Sequence, residues 1–153
     1  MKSKYLLVLL IVFISFLNLN CFKLVRVDGI AMKPALNDGD RLILNTNVEE
    51  LKRGEIISFL YPKDNSKFFI KRIVGLPNET LEIREGKVFI DGNVLDEPYI
   101  LEEFNQSKSN FPPRKIKNNN FFVIGDNRDN SSDSRYWGTV SKDLIIGTYT
   151  MKY

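Results

Sequence analysis

From Glu79 to Leu95 the chain reads ETLEIREGKVFIDGNVL, short β-branched and apolar runs cut by Glu85-Gly86 and by Asp91-Gly92-Asn93. A polar residue followed by glycine suits a tight hairpin turn, because such turns need positive φ. The stretch therefore predicts a β-meander. Similar runs flank it on both sides: KLVRVDG, DRLILNT, GEIISFLYP and KFFIKRIVG before, NNFFVIGD and DLIIGTYTMKY after. Strands this short, with Gly, Asn, Asp and Pro between them, predict an all-β fold rather than βαβ units. The expectation for residues 23–153 is a single all-β domain, a compact antiparallel β-barrel-like fold or a sandwich. Between Glu97 and Asn120 the pattern fades around Pro98, Pro112, Pro113 and several Asn and Ser, which predicts a long surface excursion.

Ahead of the strands the character changes. Met1 to Lys4 is a short basic head, and Tyr5 to Leu17 reads YLLVLLIVFISFL. With Leu19, Cys21 and Phe22 the apolar stretch reaches about 18 residues, just enough to span a bilayer. A cleavable signal peptide has the same basic head and apolar middle, but no small-x-small cleavage site follows. Cys21 sits behind Asn18 and Asn20, a poor setting for lipid attachment. Residues 1–22 are accordingly expected to form an uncleaved membrane anchor. The basic head favours a cytoplasmic N-terminus, with everything after Phe22 on the far side of the membrane.

Composition removes much chemistry. The 153 residues include no histidine and one cysteine, so a Ser-His-Asp triad, a Cys-His pair, an imidazole metal site and an internal disulfide are excluded. Acid–base work near neutral pH falls to a perturbed lysine, carboxylate or tyrosine. The net charge of +3 is too mild to demand nucleic acid. With 43% apolar residues the chain can build a core.

Two stretches carry the candidate chemistry. In FFIKRIV, Phe68 to Val74, period-two alternation puts Phe69, Lys71 and Ile73 on one face and Phe68, Ile70, Arg72 and Val74 on the other. Both faces are apolar apart from the cations, so at least one cation lies near buried surface. A buried lysine can lose its proton and serve as a base without histidine, although snorkelling to water is the commoner fate. Farther on, GDNRDNSSDSRYWG follows an apolar strand. Its aspartates fall at 126, 129 and 133, without the alternation, glycine or final glutamate of a calcium loop, so no metal is expected. A polar turn is, in which Asp126, Asp129 and Asp133 meet Arg128 and Arg135 and aim Ser131 at a neighbouring lysine.

Four segments in order resemble the motifs of bacterial type I signal peptidases, membrane-bound Ser/Lys endopeptidases that remove signal peptides from exported proteins. GIAMKPAL with NDGD (29–40) is similar to the nucleophile segment, and RGEIISF (53–59) to the strand that follows it. KRIVGLP (71–77) is similar to the lysine segment, and GDNRDNS with DSR (125–135) to the last motif. Any one alone is weak; four at sensible spacing are specific. The resemblance implies Lys71 as general base, Ser131 as the residue that orients it, and Asp133 with Arg135 as a bracing ion pair. It implies oxyanion donors at the Ala31 backbone N–H and the Gly29 region, and a substrate added as a strand. The substrate-binding residues would be Val27, Asp28, Gly29, Ile30, Met32, Pro34, Phe68, Phe69 and Ile70, selecting small residues at −1 and −3 before the cut. Partners would be signal peptides and membrane lipid, with no cofactor and no nucleic acid. The location would be the bacterial plasma membrane, single-pass, with the β domain outside the cytoplasm.

One departure matters. The nucleophilic serine's position holds Ala31, and a methyl group cannot attack a carbonyl. Losing such a nucleophile costs on the order of 10⁶-fold in rate. Ala31 reads as an engineered Ser→Ala trap, as the mark of a pseudo-enzyme that binds signal peptides uncut, or as a slow hydrolase in which Lys71 activates water. A relative that matures one dedicated substrate is a further alternative. Ser58 is a conceivable substitute nucleophile, but within GEIISF it reads as an ordinary strand residue.

Overall fold

The computed structural model describes residues 21–153. The meander is present as β5 (Thr80–Arg84), β6 (Lys87–Ile90) and β7 (Asn93–Val94). Arg84 pairs with Lys87, and Ile90 with Asn93, so each connection is a two-residue turn. Both turn residues have positive φ, 48° and 76° at Glu85-Gly86 and 49° and 84° at Asp91-Gly92. These are I′-type turns, whose twist matches that of the flanking strands.

The fading stretch holds a surprise. Residues 97–120 are not all excursion, because β8 (Phe111–Lys115) adds to the other side of β5 and completes a sheet of order β7-β6-β5-β8. Pro112 and Pro113 have no N–H to give a ladder; they lie together opposite the single residue Glu82, where the pairing with β5 shifts register, on a strand whose other side is the sheet edge. A bulge on an edge strand is why a strand hides behind two prolines.

The larger sheet is antiparallel throughout, with order β1-β2-β11-β3-β4-β9-β10. Its members are β1 (Phe22–Arg26), β2 (Arg41–Asn45), β3 (Ile56–Tyr61), β4 (Asp64–Gly75), β9 (Asn120–Ile124), β10 (Val140–Ser141) and β11 (Ile145–Lys152). One short helix, α1 (Ser134–Trp137), follows the polar loop. Of the anchor expected over residues 1–22, only the end is described: Cys21 is exposed and Phe22 opens β1. The rest of it lies outside the described residues. Among the described residues no helix is long and apolar enough to cross a membrane.

Strand β4 feeds three cores. Ile73 packs with Ile57, Phe59 and Val123; Val74 packs with Leu81, Ile116 and Phe122; Ile70 packs against Met32, Leu36 and Leu42. Alternation on a twisted strand explains the division, since neighbouring side chains leave on opposite faces. At its end Gly75 lies where the pairing with β9 shifts register. A Cβ there would stand 2.4 Å from Ile116 Cδ1 and 3.1 Å from both Leu81 Cδ1 and Phe122 Cβ. No side chain larger than hydrogen fits between these groups.

Gly75→Ala should therefore destabilise the domain by about 1–3 kcal/mol through overpacking. Urea unfolding followed by Trp137 fluorescence checks it; an unchanged midpoint would contradict this packing.

Candidate active site

Lys71 lies on β4 opposite Ile57, and only 6% of it is exposed. Its Nζ donates to the Ile70 carbonyl at 2.9 Å and stands 5.2 Å from the centre of the Phe69 ring. Below Phe69 the aromatic packing continues, with Tyr61 stacked on it at 4.7 Å and Trp137 edge-on to both. No carboxylate touches the amine. Burial pulls its pKa down from 10.5 to about 8, against the upward pull of Asp133 and Asp126 at longer range. A sizeable neutral fraction near neutral pH follows, so the amine can act as a base.

Arg72, the next residue, faces the other way and is satisfied differently. Its Nε and Nη2 grip Asp126 at 2.8 and 2.5 Å, and its Nη1 donates to the Gly54 carbonyl. The Tyr99 ring stacks 4.1 Å from the guanidinium. Neither cation snorkels. The same corner ties two sequence motifs together, because Arg53 pairs with Glu79 and also donates to the Val74 carbonyl.

Ala31 sits in the turn between β1 and β2. The Leu36 N–H bonds the Met32 carbonyl, so Met32 and Leu36 point together into the core. Their common direction leaves Pro34 and Ala35 exposed. Asn127 pins this turn from across the chain: its N–H donates to the Ala31 carbonyl at 3.0 Å and its Nδ2 to the Ile30 carbonyl at 3.3 Å. The Ala31 N–H has no acceptor among the described residues. The Gly29 N–H, by contrast, is committed to Asp38 Oδ1 at 2.8 Å. Of the two expected oxyanion donors, one is free and one is occupied.

Between this turn and β4 runs a groove. Val27, Asp28, Gly29 and Met32 line one side, with Ala31 at its end. Phe68, Phe69, Ile70 and Lys71 line the other. Two expected substrate-binding residues are not in it: Ile30 is exposed, and Pro34 faces outward on the turn for the reason just given. The groove also takes in Val25, Arg26, Ser58 and Ser132, which the sequence reading did not assign to it. Strand alternation alone could have flagged Val25, two residues before Val27.

The polar loop is braced, but with other partners than expected. Asp133 holds Arg135 through two bonds of 2.8 Å, caps α1 and accepts from the Gly125 N–H. Asp126, however, pairs with Arg72, and Arg128 pairs with Glu97 at 2.6 Å. Asp129 accepts from the Gln106 and Ser107 N–H groups. Tyr99 donates to Glu97, and burial beside that carboxylate pushes the phenol pKa upward. A tight turn sends successive side chains outward, so apart from the Asp133–Arg135 pair each charge finds its partner on a different segment. Ser131 Oγ is buried without a hydrogen-bond partner, and the bond from Lys71 goes to Ile70 instead. Gly125 explains the crowding there, since a Cβ would lie 2.3 Å from Ser131 Oγ and 2.5 Å from the Ala31 carbonyl oxygen.

Comparison with known proteins gives a consistent result. Residues 2–153 match the model of the family described as signal peptidase, peptidase S26. Signal peptidase I P of Bacillus subtilis subsp. natto is 39% identical over 133 residues, covering 80% of this chain and 71% of that protein. Signal peptidase I T of Bacillus subtilis (strain 168) is 36% identical over 139 residues, 83% of this chain and 71% of its own. The crystal structure of a signal peptidase I from Enterococcus faecalis V583 superposes with a TM-score of 0.58 at 30% identity, covering 68% of this chain and all of that one.

Two measurements test the electrostatics. Asp126→Ala should cost about 3–5 kcal/mol, because it strands the buried Arg72 charge, whereas Glu102→Ala, which breaks an exposed pair with Lys108, should leave the denaturation midpoint in place. For Lys71, the unfolded chain binds the extra proton between about pH 8 and 10.5, so stability rises across that window. Lys71→Met should be more stable below pH 8, by on the order of 3 kcal/mol. Its advantage should fade as pH climbs to 10.5, and a pH-independent difference would argue against a depressed lysine.

Proposed function

Because the chain belongs to the signal peptidase family, peptidase S26, we propose that its groove receives signal peptides of exported precursors and that Ala31 leaves them uncut at any ordinary rate. The carrying observation is the pairing of a buried, readily neutralised Lys71 with a methyl group where a hydroxyl would attack. An extended peptide enters between the 25–29 segment and β4 as an added strand. Small side chains at −1 and −3 fit a groove narrowed by Met32 and Ile70. The scissile carbonyl carbon lies beside Ala31, and its oxygen takes the free Ala31 N–H.

With serine at position 31, neutral Lys71 removes the hydroxyl proton as Oγ attacks the carbonyl, then returns it to the leaving amine. Ser131, whose hydroxyl is otherwise unpartnered, becomes the lysine's second hydrogen-bond partner after the Ile70 carbonyl. With alanine at that position only a water activated by Lys71 could attack, on the order of 10⁶-fold more slowly. The site then works as a binding module. An N-terminal anchor over residues 1–22 would hold the domain at the plasma membrane, on the extracytoplasmic side, where exposed Phe22, Leu24 and Phe68 meet lipid.

The test is cleavage of a purified signal-peptide-bearing precursor by the full chain in detergent. Ala31→Ser should cut and the chain as it stands should not. The rate of the serine variant should rise about tenfold per pH unit and level off above about pH 8, as Lys71 gives up its proton. Adding Lys71→Ala should abolish it. Equal cutting by both versions would place the nucleophile elsewhere.

A further inference from the structure

Ser58 interrupts an otherwise apolar strand, Ile56-Ile57 before it and Phe59-Leu60 after it, and is 1% exposed. Its hydroxyl makes no hydrogen bond to the described residues, is not one of their fully enclosed unpartnered polar atoms, and belongs to a side chain that lines the groove. Around it the walls are apolar at Val25, Val27, Phe68 and Ile70. Open to the groove, the hydroxyl is available to whatever enters, and an occupant that covers it with apolar atoms alone would strand it at a cost of about 1–3 kcal/mol.

The β3–β4 register says where. Ser58 stands opposite Ile70, and Ile57 opposite Lys71. Ser58 therefore shares the face of Ile70, the residue before Lys71 on β4. An extended peptide with its −1 carbonyl beside Ala31 turns its −1 and −3 side chains to the same wall, the second about 7 Å farther from the cut. Val25, Phe68 and Ile70 lie along β1 and β4 in that direction, ahead of Ala31 and Lys71 in the chain. We propose that Ser58 is a specificity-determining residue whose hydroxyl selects serine or threonine at the −3 position of a bound signal peptide. This rests on the groove being the signal-peptide site and adds what that site prefers.

The physical basis is one hydrogen bond in a desolvated pocket. Threonine and valine have the same shape, so only the hydroxyl distinguishes them. Threonine pairs with Ser58; valine covers it and leaves it unsatisfied. The absence of ordinary turnover is an advantage, because equilibrium binding can be read without cleavage.

The experiment is fluorescence anisotropy of labelled ten-residue peptides with the full chain in detergent micelles. One set carries alanine at −1 and threonine or valine at −3; a second carries alanine at −3 and serine or glycine at −1. Threonine at −3 should bind on the order of tenfold tighter than valine, and Ser58→Ala should bring the two within about twofold. Equal affinities in the unaltered chain overturn the inference, and so does a threonine preference that survives Ser58→Ala. A hydroxyl preference confined to −1 overturns the register. If no peptide of either set binds saturably, the groove itself is not the peptide site, which is a separate failure.

Discussion

Two adjacent cations on one apolar strand set the terms for the rest of the molecule. Lys71 and Arg72 leave β4 on opposite faces, and both are largely withdrawn from water. A buried charge must be paired or neutralised. Arginine cannot be neutralised, so Arg72 requires Asp126, and the loop carrying Asp126 must come to β4. Lysine can be, so Lys71 remains without a touching carboxylate and its pKa falls. The same burial thus builds a brace on one face and a readily neutralised amine on the other.

The brace extends outward in layers. Asp126 brings the 125–135 loop to the strand, and that loop needs its own support because it buries Arg128 and Asp133. Asp133 is met within the loop by Arg135, but Arg128 depends on Glu97 and Asp129 holds the turn at 106–107. The irregular stretch after β7 is therefore part of the site's scaffold. Arg135 adds a bond to Ser109, closing the loop against the same stretch. Ion pairs and charge-assisted hydrogen bonds of this kind stiffen the segments they join. The stiffness keeps Asn127 fixed against the Ala31 carbonyl, so a loop at one end of the chain positions a turn at the other.

Function divides along the same line. On the proposed reading, the scaffold that would position Lys71 as a base and leave the Ala31 N–H for an oxyanion is in place, while position 31 carries no hydroxyl to attack. Binding by strand addition needs only backbone and pocket, so it survives the loss of a hydroxyl. Catalysis does not, because attack requires an oxygen at one point in space. Ser58 belongs to the binding side of that division.

Much of this was legible in the chain itself. Hairpin turns follow from the residues that tolerate positive φ, and they fall at Glu85-Gly86 and Asp91-Gly92 as read. Alternation on β4 separates Lys71 from Arg72 without any knowledge of neighbours. The β8 strand was hidden because propensity counts prolines against a strand, and only its edge position together with the register shift at Pro112 and Pro113 makes them harmless. The loop's aspartates and arginines were visible as a network, but their partners Arg72 and Glu97 lie 54 and 31 residues away. Alternation and turn chemistry are local properties of successive residues. Which charge meets which, which N–H stays free and which hydroxyl faces the groove depend on strands meeting across the sheet, where register rather than residue type decides.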